Sequence, residues 1–118
     1  MKKANIKFTL LIVISVLTGI LAATSHDLIQ NFQISPNPMD RVVHIALSFK
    51  EPVNVSVRIV DANESSVKNL FVGDVNRELL LSWNRIGDNG FLVPSGRYEV
   101  VVSFQSRYTS TKKTLILR

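Results

Sequence analysis

From Tyr98 the chain reads Tyr98-Glu99-Val100-Val101-Val102-Ser103-Phe104, and every second residue is large and apolar. A strand sends successive side chains to opposite faces, so Tyr98, Val100, Val102 and Phe104 mark one face packed on a core. The run is fed by Pro94-Ser95-Gly96-Arg97, and before that by Trp83-Asn84-Arg85-Ile86-Gly87-Asp88-Asn89-Gly90. Two Gly-closed turns leading into an alternating strand describe a corner of an antiparallel sheet structure. Such a corner carries architecture rather than chemistry.

The same period of two recurs upstream, and no segment beyond the first 25 residues sustains the i, i+3, i+4 spacing of a helix. Val43, Ile45, Leu47 and Phe49 alternate with wetter residues, and Val55, Val57 and Ile59 do so after the Glu51-Pro52 break. Leu28 to Ile34 reads as an opening strand before the turn Ser35-Pro36-Asn37-Pro38. Val67 to Val72 reads as a short edge strand ended by Gly73-Asp74, after a polar loop from Asp61 to Ser66. Leu79, Leu81 and Trp83 share one side of the next strand, and Leu115 and Leu117 lie on the last one. About seven short strands with turn signals roughly every 8–12 residues predict an immunoglobulin-like β-sandwich. The fold class is all-β, with two antiparallel sheets burying their apolar faces against each other.

The N-terminus differs in kind. Lys2, Lys3 and Lys7 precede an apolar run from Phe8 to Leu21, followed by the small residues Ala22-Ala23-Thr24-Ser25. These are the three parts of a secretory signal peptide, with Ala23 and Ser25 placed for a cut before His26. The division is therefore 1–25 signal peptide, or an uncleaved anchor, and 26–118 sandwich domain. The leader is predicted to be a signal helix, and either form places the domain outside the cytoplasm: periplasmic, cell surface or secreted. No Cys follows the apolar run, which excludes a bacterial lipoprotein anchor.

The formal net charge of +5 falls to +2 once the leader's three Lys are set aside. The remaining basic residues are scattered, and nucleic acid would require a clustered patch with aromatic stacking partners. With no Cys in the chain, stability must come from packing without disulfides.

The order Ser-Pro-Asn-Pro, paired alternating strands, Trp83-Asn84-x-x-x-Asp88-Asn89-Gly90, Ser95-Gly96-x-Tyr98 and a terminal Lys112-Lys113-x-Leu115-x-Leu117-Arg118 resembles two related modules. One is the immunoglobulin-like domain of the flagellar hook-capping protein. The other is the C-terminal sorting domain of cargo exported by the type IX secretion system. The resemblance spans Ser35 to Arg118, and it departs from the family at Asn84-Arg85-Ile86-Gly87, where the Trp is usually followed by Asp-Gly. It implies a module that works by interaction or assembly in the cell envelope, here without the segments that usually accompany it.

Pro36, Asn37 and Pro38 fit a rigid lead-in, since each Pro fixes φ and removes a donor, and the resemblance adds a recognition role. Asp88-Asn89-Gly90 fits a positive-φ turn better than a calcium loop, which would need a bidentate Glu in reach. Gly96 and Tyr98 resemble a tyrosine corner. Trp83, in step with Leu79 and Leu81, reads as core. Lys112, Lys113 and Arg118 form the one basic cluster. They fit protection of an edge strand, while the resemblance implies a tail grasped by a secretion machine.

No acid–base pair or nucleophile constellation can be assembled, so a non-enzymatic module without cofactor or metal is expected. His44 and His26 are the only histidines, too few for zinc-ligand spacing. The expected partner is an envelope protein, not nucleic acid, with membrane contact only through an uncleaved leader. Two alternatives stand: a type IX sorting tag, or a small carbohydrate-binding module using Trp83, Tyr98 or Tyr108.

Overall fold

Seven strands make up the described part of the computed structural model, which covers residues 28–106 and 109–118. The leader at 1–25, His26 and Tyr108 lie outside the described residues. The strands are β1 (Ile29–Ser35), β2 (Val43–Phe49), β3 (Val53–Val60), β4 (Ser66–Val75), β5 (Glu78–Trp83), β6 (Gly96–Phe104) and β7 (Thr109–Leu117). All pair antiparallel, in one sheet ordered β1-β2-β5 and a second ordered β4-β3-β6-β7.

The inward faces are those the period of two predicts. Val43, Ile45, Leu47 and Phe49 of β2 meet Val55, Val57 and Ile59 of β3 and Val100, Val102 and Phe104 of β6 in one buried cluster. Phe49 and Phe104 bridge the sheets edge to face, with ring centroids 6.0 Å apart and planes at 89°. Each such side chain contributes about 1.5–3 kcal/mol on burial, which gives a disulfide-free chain its cohesion.

One feature departs from the sequence reading, and a second lay beyond it. The fourth strand does not stop at Gly73-Asp74 but runs on to Val75. Gly73 takes φ +154°, opposite Val55, so its missing Cβ lets the ladder with β3 continue where a side chain would be strained. This strand pairs with β3 rather than β5, so the β1-β2-β5 sheet has three strands and a free edge at β5. Constant-type immunoglobulin domains instead place their fourth strand on that first sheet.

The opposite flank is closed by the chain itself. Cis peptide bonds precede Pro36 and Pro38 in the crossing from β1 to the other sheet. There Met39 N–H donates to the Ile116 carbonyl at 2.8 Å, and Arg118 N–H donates to the Met39 carbonyl at 3.0 Å. Asn37 extends this seal: its Nδ2 donates to the Thr114 carbonyl at 2.8 Å and its Oδ1 accepts from Ile116 N–H at 3.0 Å. One side-chain amide thus imitates a strand residue on the outer edge of β7.

Candidate functional site

The loop between β5 and β6, residues 84–95, carries Asp88, Asn89 and Gly90, and the strands on either side of it carry Trp83, Gly96 and Tyr98. Trp83 closes β5 at 2 % exposure, and its Nε1 donates to the Ile86 carbonyl at 2.9 Å. Ile86 and Leu92 then form an antiparallel bridge, which makes the loop a small hairpin. Gly87 N–H donates to the Phe91 carbonyl at 2.9 Å and Asn89 Oδ1 accepts from Phe91 N–H at 3.0 Å. Gly90 supplies the φ of +84° that closes the turn. Gly87 is buried, and a Cβ there would lie 3.3 Å from the Val67 carbonyl oxygen.

Asp88 ties this hairpin to β4. Its N–H donates to the Val67 carbonyl at 2.9 Å, its Oδ2 accepts from Asn69 N–H at 3.0 Å, and Oδ1 lies 3.4 Å from Lys68 Nζ. Those contacts occupy the carboxylate, and among the described residues no group of three His, Cys, Asp or Glu is gathered as a metal site. Tyr98 Oη donates to the Pro94 carbonyl at 2.8 Å, the bond that defines a tyrosine corner. Gly96 opens β6 beside its ring.

Of the three rings offered for a sugar, Tyr108 lies outside the described residues and the other two are buried. Trp83 and Tyr98 are both core residues, so neither presents a ring face on which a sugar could stack.

At the centre of the corner lies Arg85, which sequence reasoning left unassigned. It is 9 % exposed with φ +70°. Its Nε donates to the Val93 carbonyl at 2.8 Å, and Nη1 donates to the carbonyls of Asp40 and Arg118, both at 2.8 Å. Its Nη2 donates to Ser95 Oγ at 3.1 Å. A planar fork of donors is what gathers main-chain oxygens from three separate segments, and Lys could not replace it. The guanidinium therefore joins the β5–β6 loop, the crossing segment and the chain beyond β7. An isolated Arg in a polar turn reads as solvated, so the sequence held no signal for this role.

The basic residues at 112, 113 and 118 do not form one patch. Lys112 lies on the outer face, paired with Glu64 at 3.3 Å and in register with the buried Val101. Lys113 points to the core side. Its Nζ donates to the Phe32 carbonyl and lies 5.5 Å from the centre of the Phe32 ring. Arg118 follows β7 and is held through its main chain. Adjacent strand residues face opposite ways, so the basic run splits in two.

What the corner does present is apolar. Phe91 and Leu92 at the hairpin tip are 72 % and 65 % exposed, with Val42 also exposed. A cavity of about 500 Å³ beside them is lined by Asp61, Val67, Phe91, Leu92 and Tyr98, among others. Sequence reasoning passed over both, and the signal that could have marked them is a Phe-Leu pair directly after the polar Asp88-Asn89-Gly90 turn. On the outer face of the three-stranded sheet, His44 Nδ1 and Ser82 Oγ are 2.9 Å apart and exposed, and among the described residues no carboxylate is hydrogen-bonded to the imidazole. That pair lacks the orienting acid of a nucleophilic site.

Protein-family models and curated proteins give no match to this chain. Among solved structures, dimeric latent PorU from Porphyromonas gingivalis matches with a TM-score of 0.60 at 18 % identity, over 73 % of this chain and 9 % of that one. PorZ from Porphyromonas gingivalis, described as an essential surface component of the type IX secretion system, matches with a TM-score of 0.52 at 21 % identity. That match covers 75 % of this chain and 11 % of PorZ. The chain thus spans about a tenth of either protein's length, and the likeness is one of fold: a β-sandwich module that recurs inside much longer chains.

Proposed function

We propose that this chain is an exported, non-enzymatic β-sandwich module that docks onto another protein of the cell envelope. The observation that carries this reading is the exposed Phe91–Leu92 tip, held out by a hairpin whose every turn is fixed by hydrogen bonds. Exposed aromatic residues are enriched in the core of protein interfaces, and a contiguous exposed apolar pair marks an interaction surface. Rigid support lowers the ordering cost of binding. The polar side chains of the corner mostly bind main chain, with side-chain partners only at Arg85–Ser95 and Asp88–Lys68. The leader-like N-terminus and the sandwich likeness to a module of PorZ support an envelope location.

The experiment is in-cell cross-linking of the tagged full chain, followed by identification of the joined protein. A single envelope protein captured by the wild type and lost with Phe91→Ser/Leu92→Ser supports the reading. Capture that is indifferent to both substitutions contradicts the tip as the docking surface. A second reading, a type IX sorting tag, is favoured by the Ser35-to-Arg118 resemblance together with the PorZ likeness. It predicts that mass spectrometry finds the segment after about Ser35 removed from an attached cargo. An intact junction on exported material opposes it.

A further inference from the structure

The sandwich has four edge strands, and three carry features that hinder pairing with another chain. The strand β1 is irregular between Ile29 and Asn31, and its Phe32 carbonyl is taken by Lys113. Irregularities also interrupt β4, once after Val57 and once after Ile59 in its pairing with β3, and it carries Lys68 and Gly73. The strand β7 is covered by Asn37 and Met39 and carries two Lys. Bulges, lysines and covering segments are the devices by which natural sheets protect their edges.

The remaining edge, β5, has none of these. Its register with β2 is unbroken from Glu78 to Trp83, without Lys, Gly or Pro, and Leu80 at its middle is 79 % exposed. The direction of its free groups can be read from the ladder. Arg77 accepts from Phe49 N–H at 2.7 Å, so the odd-numbered residues Leu79, Leu81 and Trp83 turn their main-chain groups to β2. Glu78, Leu80 and Ser82 turn theirs to solvent.

The order Glu78-Leu79-Leu80-Leu81-Ser82 is close to self-complementary about Leu80. We infer that a second copy of this chain docks on β5, in an antiparallel pair whose two-fold axis passes Leu80. That axis sets Leu80 opposite the second copy's Leu80, and Glu78 opposite the second copy's Ser82. All free N–H and C=O groups of the three outward-turned residues then find partners. On the inner face the half-buried Leu79 and Leu81 meet their counterparts in reversed order, extending the core across the joint. The polar ends match as well. Each Glu78 meets a hydroxyl already joined to an imidazole, the Ser82–His44 pair, rather than another acid. The interface is isologous, so it closes at two copies.

This inference rests on reading the chain as a protein-docking module, but it uses a different surface from the Phe91–Leu92 tip. Sedimentation velocity of the full chain over a dilution series tests it. The wild type is expected to reach twice the monomer mass as concentration rises. Leu80→Lys is expected to lose the dimer while keeping its far-ultraviolet circular dichroism, because that side chain is exposed. The chain has no cysteine, so Leu80→Cys gives a clean probe. Cα atoms in a hydrogen-bonded antiparallel pair lie about 5.5 Å apart, within disulfide reach. Under mild oxidant Leu80→Cys is expected to form a covalent dimer, and Val72→Cys on β4 is not.

A wild type that stays monomeric, or equal cross-linking at positions 80 and 72, overturns the inference. If the monomeric wild type still captures its envelope protein, only the second copy falls and the docking reading stands. If that capture is then lost with Leu80→Lys, the edge belongs to a foreign strand, which also overturns the second copy. Absence of both self-association and capture removes the docking reading too.

Discussion

Arg85 shows how much of this fold hangs on one side chain. Its guanidinium satisfies carbonyls on three segments that are far apart in the chain. Arg85→Met keeps much of the apolar stem and strands those acceptors. The expected loss is about 3 kcal/mol or more, since each buried unsatisfied group costs about 1–3 kcal/mol. Urea unfolding monitored by Trp83 fluorescence measures it, and a loss below about 1 kcal/mol contradicts the role. Tyr98→Phe removes only the bond to Pro94, for an expected loss of about 1 kcal/mol by the same measurement. At this scale the sequence was half legible. Tyr98 and Trp83 announce themselves by their place in an alternating pattern, because burial on a strand is a local regularity. Arg85 does not, because its role depends on Asp40 and Arg118, which only the folded chain brings beside it.

At the scale of elements, the sequence located all seven strands, and the period of two gave the inward faces of β2, β3, β5, β6 and β7. The length of β4 escaped it, because pairing with β3 carried the strand through Gly73. The partition into sheets was not legible either. Alternation says which face of a strand is apolar, not which neighbour it pairs with. The closing of the β7 edge by Asn37 is likewise a long-range event. Asn37→Ala removes both side-chain bonds to that strand, with an expected loss of about 1–2 kcal/mol. Faster amide exchange at Ile116 is its local signature. The two lysines of β7 should separate just as clearly. Lys112→Ala breaks an exposed pair with Glu64 and should change stability by less than about 0.5 kcal/mol. Equal effects of Lys112→Ala and Lys113→Ala on unfolding contradict the split of the basic run between two faces.

The molecule as a whole is asymmetric. One flank is sealed by the crossing segment and Lys113, the other ends in the bare edge of β5, and the β5–β6 loop projects Phe91 and Leu92 at one pole. β1 begins beside the end of β2 at Phe49, whereas that loop follows Trp83, which pairs with Val43 at the other end of β2. The described chain therefore begins at the pole opposite the tip. Phe91→Ser/Leu92→Ser should leave the unfolding midpoint nearly unchanged, because exposed substitutions stay within about 0.5 kcal/mol. A large drop in the midpoint would make the tip a packing element rather than a docking one.

Residue-resolved amide exchange over a dilution series reaches the central claim most directly, because it reads both flanks at once. The account predicts slow exchange at Met39, Ile116 and Arg118 at every concentration. At Glu78, Leu80 and Ser82 it predicts fast exchange in dilute solution, slowing as the concentration rises. Rapid exchange at Met39 and Ile116, or a Leu80 amide already protected in the dilute protein, would contradict it.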